Sequence, residues 1–238
     1  MTSIKKLSAH LERTYPFANL TPYLTSYSHH GFSYLEGNST KDGRRIFIKV
    51  DGTGGDAAWR EANALRLLDI PNVPRVIAYE AGGPLSFVAL EWLDAVSLEA
   101  LLKHRPLLQP ARKLLLLNQL CAVLQALHGA KIIHRDIRPA NIMIEMKNEN
   151  WKLVLIDFAF SLRLGGDRWP ELSFFDLQPE LLAVLGGERY KQDRYVWDDA
   201  YAACQVALDI DPQCHLNYPD IWNRLIAMIG KINYAAII

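Results

Sequence analysis

Three short segments of the chain combine charged side chains with apolar neighbours, where a bare charge is costly. The segment "HRDIRPAN", residues 134–141, follows an apolar doublet and holds an Asp and an Asn five residues apart, with a cation between them. Asp157 ends the apolar run "KLVLID", and a carboxylate at the end of such a strand needs a cation, for which we predict Mg²⁺. Lys49 lies in the apolar run "IFIKV", and Glu61 is the nearest carboxylate that could face it.

Strand and turn signals dominate residues 25–93. A hairpin turn, "KDG", leads into the strand "RRIFIKV", and the runs "RVIAYE" and "LSFVALEWL" are predicted to pair across the turn "AGGP". One helix interrupts these strands, because Asp56 is a suitable N-cap and "AAWREANALRLL" continues from it until two prolines intervene. Lys49 is therefore predicted on a strand and Glu61 on the helix that follows it.

Helical signals dominate the chain after residue 93. Pro110 suits the first turn of a helix, and Gly129 suits its end. Between them, apolar residues recur at three- and four-residue steps: Leu114, Leu117, Cys121, Leu124 and Leu127. The runs "NIMIEM" and "WKLVLIDF" then enclose the turn "KNEN", so "HRDIRPAN" is predicted on a loop between a buried helix and a hairpin.

These signals divide the chain into three parts. Residues 1–24 are predicted as an N-terminal extension with a helix from Ser3 to Arg13. Residues 25–93 are predicted as a strand-rich lobe, and residues 94–238 as a helix-rich lobe, so the fold class is α+β.

Composition excludes several classes of function. Lys plus Arg and Asp plus Glu number 26 each, so no bulk electrostatic attraction favours nucleic acid or an anionic membrane. Three separated cysteines without CxxC spacing argue against a disulfide framework or a zinc site, which favours a reducing cytoplasm. We find neither the apolar core of a signal peptide nor a membrane span.

Four segments occur in the order found in protein kinases. These are "FIKV", a glutamate on the following helix, "HRDIRPAN" and, sixteen residues after Asn141, "DFA". Over roughly residues 25–205 the chain resembles the protein-kinase superfamily. The resemblance implies a bilobal fold with an antiparallel sheet in the N-lobe and a shortened helical C-lobe. It also implies transfer of the γ-phosphoryl group of ATP, with Mg²⁺, to a hydroxyl acceptor.

The resemblance assigns roles in the catalytic loop and the metal site. Asp136 takes the position of the carboxylate that accepts the proton of the acceptor, and His134 and Arg135 are structural. Asn141 and Asp157 are the implied metal ligands. Arg138 replaces the usual Lys, and its guanidinium would neutralise charge on the transferred group. In "DFA", Ala replaces the usual Gly, which costs on the order of 1 kcal/mol if the position requires a positive φ.

The resemblance also assigns the nucleotide contacts. Lys49 and Glu61 form the implied ion pair that holds the α- and β-phosphates. The link between the lobes, "LEWLD", would offer the carbonyl of Glu91 and the N–H of Leu93 to adenine, with Leu90 as the gatekeeper.

The loop over the phosphates departs from the family pattern. Only Gly31 lies in the expected turn, without the usual GxGxxG. Either His29, His30 and Ser33 form a looser lid, or nucleotide affinity is poor.

Two further features concern the large lobe. The segment "VWDDAYAAC" resembles the central helix of the family's large lobe, and the resemblance implies Asp199 as the anchor of the catalytic loop, with Asp198 as the alternative. Between Asp157 and Glu180 only Ser161 and Ser173 could be phosphorylated, so we expect constitutive activity.

The sequence leaves the identity of the acceptor open among three alternatives. Only 39 residues follow Asp199, which favours a small acceptor such as a sugar, a glycolipid or another hydroxyl compound, as in the lipopolysaccharide-sugar kinases. The arginine of "HRD" favours the alternative, a Ser/Thr protein kinase. A pseudokinase that acts as a binding module is a second alternative, although Lys49, Asp136, Asn141 and Asp157 are all present.

Overall fold

The computed structural model describes most of the chain. The described residues are 4–23, 31–52, 54–82, 86–104, 108–148, 150–165, 169 and 179–236. Within this part, no helix is long and apolar enough to cross a membrane.

The first lobe is a five-stranded antiparallel sheet in the order β1-β2-β3-β5-β4. Its strands are β1 (Phe17–Pro22), β2 (Phe32–Ser39), β3 (Arg45–Asp51), β4 (Val76–Glu80) and β5 (Ser86–Glu91). The helix α1 (Ile4–Thr14) buries Leu7 and Leu11 in the apolar cluster that includes Phe17 and Phe87.

The sheet begins before the boundary predicted for the first lobe. Strand β1 pairs with β2, with Phe17 opposite Ser39, so a boundary between residues 24 and 25 separates two hydrogen-bonded neighbours. β1 has only six residues and no strand alternation, because its buried residues Phe17 and Leu20 are three positions apart, so its sequence gives no strand signal. By its strand pairing, the lobe starts at Phe17.

The helix α2 (Ala57–Leu68) has the bounds that its apolar pattern predicts. Asp56 precedes it, but the Asp56 side chain makes no capping hydrogen bond to the helix. Its carboxylate lies 2.9 Å from Nε of the buried Arg60, and Asp51 accepts a hydrogen bond from the first helical N–H, at Ala57. A neighbouring strand therefore supplies the N-terminal acceptor of α2.

The second lobe is mainly helical. Its helices are α3 (Leu98–Leu102), α4 (Pro110–Ala130), α5 (Pro179–Val184), α6 (Asp199–Ile210), α7 (Cys214–Asn217) and α8 (Pro219–Ile226). Its strands are β6 (Ala95–Ser97), β7 (Ile132–Ile133), β8 (Ile142–Lys147), β9 (Asn150–Leu155), β10 (Leu162–Arg163), β11 (Val196–Trp197) and β12 (Tyr234–Ala235). The predicted hairpin is β8–β9, and β6 joins it as a third strand.

Helix α4 forms the centre of this lobe. It runs past Gly129 and ends at Ala130, with Lys131 as the left-handed cap at φ 55°. Four of its five predicted core residues are buried, whereas Leu114 is 43% exposed. The structure thus confirms the predicted bilobal α+β fold. In the second lobe, the buried side of one long helix, α4, packs in the centre of the core.

Candidate active site

A cavity of about 590 Å³ lies between the two lobes. Its lining includes predicted site residues from both lobes: Lys49, Glu61, Leu90, Glu91, Leu93, Asp136, Arg138, Asn141 and Asp157. A cavity of this size suits a nucleotide-sized ligand. The fold therefore collects residues that are more than 100 positions apart in the chain.

Lys49 forms the charged centre of the cavity. Its Nζ lies 2.5 Å from Oδ1 of Asp157 and 3.3 Å from Oε2 of Glu61. Strand β3 supplies the lysine and α2 supplies Glu61, as predicted. The additional partner is Asp157, which follows β9 in a left-handed conformation at φ 68°.

The pKa values in this cluster follow from burial and mutual attraction. Burial alone would lower the pKa of Lys49, but the charges of Asp157 and Glu61 raise it above its ordinary value. Burial raises the pKa of Glu61 despite the attraction of Lys49. Asp157 has a lowered pKa because the lysine outweighs the effect of burial. The two carboxylates therefore keep the buried ammonium of Lys49 charged.

Asp136 lines the cavity and is buried, with 4% of its surface exposed. Its Oδ2 accepts a hydrogen bond of 2.6 Å from Nδ2 of Asn141, and Arg138 Nε lies 3.2 Å from Oδ1 as an ion pair. Burial raises the pKa of Asp136 to about 6, although Arg138 and Asn141 oppose this shift.

The two adjacent carboxylates at the start of α6 have separate tasks. Asp199 accepts hydrogen bonds from the backbone N–H groups of His134 (2.6 Å) and Arg135 (3.2 Å), which is the anchoring contact predicted for it. Asp198 caps α6 through the N–H groups of Ala200 and Tyr201. Asp199 therefore anchors the catalytic loop, and Asp198 is the N-cap of α6.

His134 is a structural part of the loop. Burial lowers its pKa to about 4, so the ring is neutral at pH 7. Its Nε2 is 3.0 Å from the carbonyl of Ile156, and its Nδ1 accepts the N–H of Asp136. These contacts require the tautomer with hydrogen on Nε2, and they connect the catalytic loop to Ile156, between the end of β9 and Asp157.

Gly186 is a site residue that the sequence analysis missed. Its N–H donates a 2.9 Å hydrogen bond to Oδ1 of Asp136. At φ 86° it adopts a conformation that glycine tolerates best, and a Cβ here would lie 2.8 Å from the carbonyl oxygen of Arg135. In the sequence, the pair Gly186-Gly187 after an apolar helix indicates a tight turn, which could have marked this position.

An aromatic roof is the second missed feature. Phe47 shares the sheet face of Lys49, two residues away, and lines the cavity with Tyr34 and Tyr23. The rings of Tyr34 and Phe47 are stacked with centroids 5.7 Å apart, and Tyr23 meets Phe47 edge-on at 5.6 Å. The alternation in "IFIKV" could have placed Phe47 beside Lys49. The roof therefore offers flat apolar surfaces to the cavity beside Lys49.

The loop over the phosphates and Ala159 of "DFA" are two places where the sequence departs from the family pattern. Gly31 stands outside the described lining of the cavity, and its carbonyl accepts the N–H of Gly52, so its phosphate contact stays a prediction. His29 and His30 lie outside the described residues. Ala159 occupies a 3-10 turn and is absent from the residues with positive φ, so the expected backbone cost of "DFA" does not arise in this conformation.

Of the two predicted phosphorylation sites, Ser161 lies within the described residues. Ser161 is fully buried, and its carbonyl accepts hydrogen bonds from Arg60 (3.0 Å) and Trp169 (3.2 Å). Ser173 lies outside the described residues. Phosphorylation of Ser161 would require this segment to open.

Asn141 and Asp157 fit a magnesium ion in their chemistry. Both Nδ2 hydrogen bonds of Asn141 go to Asp136, so its amide oxygen is the atom that can coordinate a cation. Among the described residues no group of three His, Cys, Asp or Glu side chains could hold a metal. Mg²⁺ often uses one or two protein oxygens and completes its shell with water and phosphate, which matches this pair.

The bilobal architecture and the cavity between the lobes are those of a protein kinase domain, and comparisons with known proteins agree. The family model of the protein kinase domain matches residues 45–198. The chain belongs to the protein kinase family, whose members transfer phosphoryl groups to alcohol acceptors. The prediction of this class is confirmed at the level of the family, whereas a relation to sugar kinases finds no support.

Three of the relatives are named as protein kinases, two of them as serine/threonine-protein kinases. Serine/threonine-protein kinase pkn2 of Myxococcus xanthus is 30% identical over 167 residues, which cover 67% of this chain and 19% of that protein. Serine/threonine-protein kinase PknD of Mycobacterium tuberculosis is 32% identical over 147 residues, 61% of this chain and 21% of that protein. MAP kinase kinase kinase wis4 of Schizosaccharomyces pombe is 29% identical over 135 residues, 57% of this chain and 9% of that protein. The matches span at most about a fifth of these three relatives.

Proposed function

We propose that this chain is an ATP- and Mg²⁺-dependent Ser/Thr protein kinase. The observation that carries the proposal is the gathering of Lys49, Asp136, Asn141 and Asp157 on one cavity. The names of the relatives favour a protein acceptor over the small molecule to which the short C-lobe pointed.

Each residue has a role that its surroundings support. Lys49, held by Glu61 and Asp157, would neutralise nucleotide phosphates. Asp136 would accept the proton of the attacking hydroxyl, and Arg138 beside it would stabilise negative charge on the transferred group. Mg²⁺, held by Asn141 and Asp157, would supply charge neutralisation of the phosphate oxygens.

The test is to follow the label from γ-labelled MgATP. The purified chain is incubated with Ser-, Thr- and Tyr-containing proteins and with a cell extract separated into protein, lipid and small solutes, with Asp136→Asn as the control. Label on Ser or Thr of proteins supports the proposal. Label only in lipid or small solutes restores the small-molecule acceptor, and nucleotide binding without any transfer supports a pseudokinase.

Asp136 predicts the acid limb of the pH profile. The general base must be ionised, and the pKa of Asp136 is raised to about 6, so kcat/KM is expected to fall about tenfold per pH unit below that value. Arg138 opposes the raised pKa, so Arg138→Gln is expected to move the limb to higher pH. The measurement is kcat/KM between pH 5 and 8, with Arg138→Lys as the charge-preserving control. An identical limb in both variants contradicts the assignment.

The aromatic roof predicts the nucleotide affinity. Phe47→Ala is expected to raise the Kd for ATP about tenfold, since an aromatic contact contributes about 0.5–1.5 kcal/mol beyond the buried apolar area. Titration with a fluorescent nucleotide measures it, with exposed Leu67→Ala as the control. Tighter binding by Phe47→Ala would show that the ring obstructs the base.

A further inference from the structure

Arg135, next to the catalytic Asp136, has an unusual backbone. It adopts φ 68°, a left-handed conformation that a non-glycine residue reaches at a cost of about 1–2 kcal/mol. Such a conformation persists when surrounding contacts hold it in place. The contacts that hold Arg135 therefore help to determine where the Asp136 carboxylate points.

The guanidinium of Arg135 is buried between several elements. Its Nε donates a 2.6 Å hydrogen bond to the carbonyl of Phe160 in the segment after Asp157. Its Cζ lies 5.6 Å from the ring centroid of Trp197 and 5.6 Å from that of Tyr234, within cation–π range. Only 1% of the residue is exposed, so these contacts are largely desolvated.

Tyr234 comes from a distant part of the chain, the segment 230–236, which we call the strap. The strap is fastened at three places. The N–H of Gly230 donates a 2.6 Å hydrogen bond to Asp198, β12 pairs with β11 with Tyr234 opposite Trp197, and the N–H of Ala236 donates to the carbonyl of Tyr195.

The fastenings connect the strap to the loop anchor. Asp198, which holds Gly230, is adjacent to Asp199, which holds the N–H groups of His134 and Arg135. The strap and the catalytic loop are thus attached to neighbouring residues at the start of α6. The ring centroids of Trp197 and Tyr234 are 6.0 Å apart, so both rings lie on the same side of the Arg135 guanidinium.

We infer that Tyr234 is a positioning residue for phosphoryl transfer, acting through Arg135 on the placement of Asp136. This inference rests on the proposed function. The ring of Tyr234 holds the guanidinium, the guanidinium fixes the left-handed turn, and the turn aims the general base. Neither the catalytic loop motif nor the comparisons point to this segment.

The test compares three substitutions that separate the ring from its bulk. Tyr234→Phe keeps the ring and is expected to have the kcat of wild type. Tyr234→Leu keeps an apolar side chain but removes the ring, and kcat is expected to fall about tenfold, in line with a desolvated cation–π contact. The KM for ATP is expected to stay unchanged. Tyr218→Leu, in the same lobe at the start of α8, is the matched control, expected to alter stability but not kcat.

A double-mutant cycle distinguishes positioning from general destabilisation. In an Arg135→Met background, Tyr234→Leu is expected to have no further effect on kcat, because its path to Asp136 is already broken. Equal losses in both backgrounds, or a Tyr234→Leu enzyme with wild-type kcat, would overturn the inference.

Hydrogen exchange gives a readout that does not depend on activity. The amides of His134 and Arg135 are expected to exchange faster in Tyr234→Leu than in wild type and in Tyr218→Leu. If no variant transfers phosphate but this exchange still changes, the proposed kinase function fails while the strap contact stands. Unchanged exchange overturns the contact itself.

Discussion

Replacing Asp136 with Asn is expected to lower kcat for phosphoryl transfer about 10²- to 10⁴-fold, the range for loss of a general base. Asn keeps the size of the side chain and an oxygen that can accept the N–H of Gly186. It cannot accept the proton of the acceptor hydroxyl. Affinity for nucleotide without Mg²⁺ is expected to stay the same, because Lys49 is untouched. Affinity for Mg²⁺ is expected to fall, because the new amide NH₂ cannot accept the hydrogen bond that Asn141 Nδ2 donates to Asp136 Oδ2.

Stability separates this catalytic effect from misfolding. The folded-state pKa of Asp136 is raised to about 6, so its ionised form is the less stable one in the folded protein. The stability that Asp136 contributes is complete below the pKa of the unfolded chain and is lost as the pH rises through the folded value. Asp136→Asn removes this ionisation but also the acceptor of the Asn141 Nδ2 hydrogen bond, so the two effects offset and its Tm at pH 7.5 is expected to stay close to that of wild type.

Calorimetry and single-turnover kinetics measure the two effects. The exposed Asp220→Asn on α8 is the matched control, expected to change neither kcat nor Tm. Retention of more than about a tenth of wild-type kcat in Asp136→Asn would remove the residue from the role of general base.

Replacing Lys49 with Met is expected to abolish transfer and also to destabilise the fold. The ammonium of Lys49 is the counter-charge for Glu61 and Asp157, which lie 3.3 and 2.5 Å away. Removing one partner of a buried pair costs about 3–5 kcal/mol. Because the Asp157 side chain is 31% exposed, we expect the lower end of that range, a fall in Tm of about 6–12 °C.

The pH dependence of this loss identifies its cause. Without Lys49, the pKa of Glu61 is expected to rise further, so protonation relieves the buried charge and the deficit in Tm shrinks from pH 8 to pH 5. The double variant Lys49→Met/Glu61→Gln is expected to recover part of the Tm without recovering transfer.

The matched control for Lys49→Met is Lys152→Met. Lys152 pairs with Glu145 at 3.0 Å but is 37% exposed, and such surface pairs contribute about 1 kcal/mol or less. If the two variants lose the same Tm, the Lys49 cluster is not the buried counter-charge that its burial indicates.

Local patterns in the sequence determined the elements and the chemistry. The bounds of α2, the β8–β9 hairpin and the loop that carries Asp136 follow from periodicity and turn residues, because these depend on backbone preferences within a few positions. The cost of a bare charge in an apolar strand likewise marked Lys49 and Asp157 from their immediate neighbours.

Only the tertiary structure decided which groups complete the site. The hydrogen bond between Gly186 and Asp136 joins residues 50 positions apart, and β1 lies in the sheet through pairing that its short pattern did not reveal. The ring of Tyr234 reaches Arg135 across the second lobe. A sequence shows that a buried charge or a strained turn requires partners. Which residues become those partners depends on how distant segments pack, because the partners come close only after folding and local preferences do not specify them.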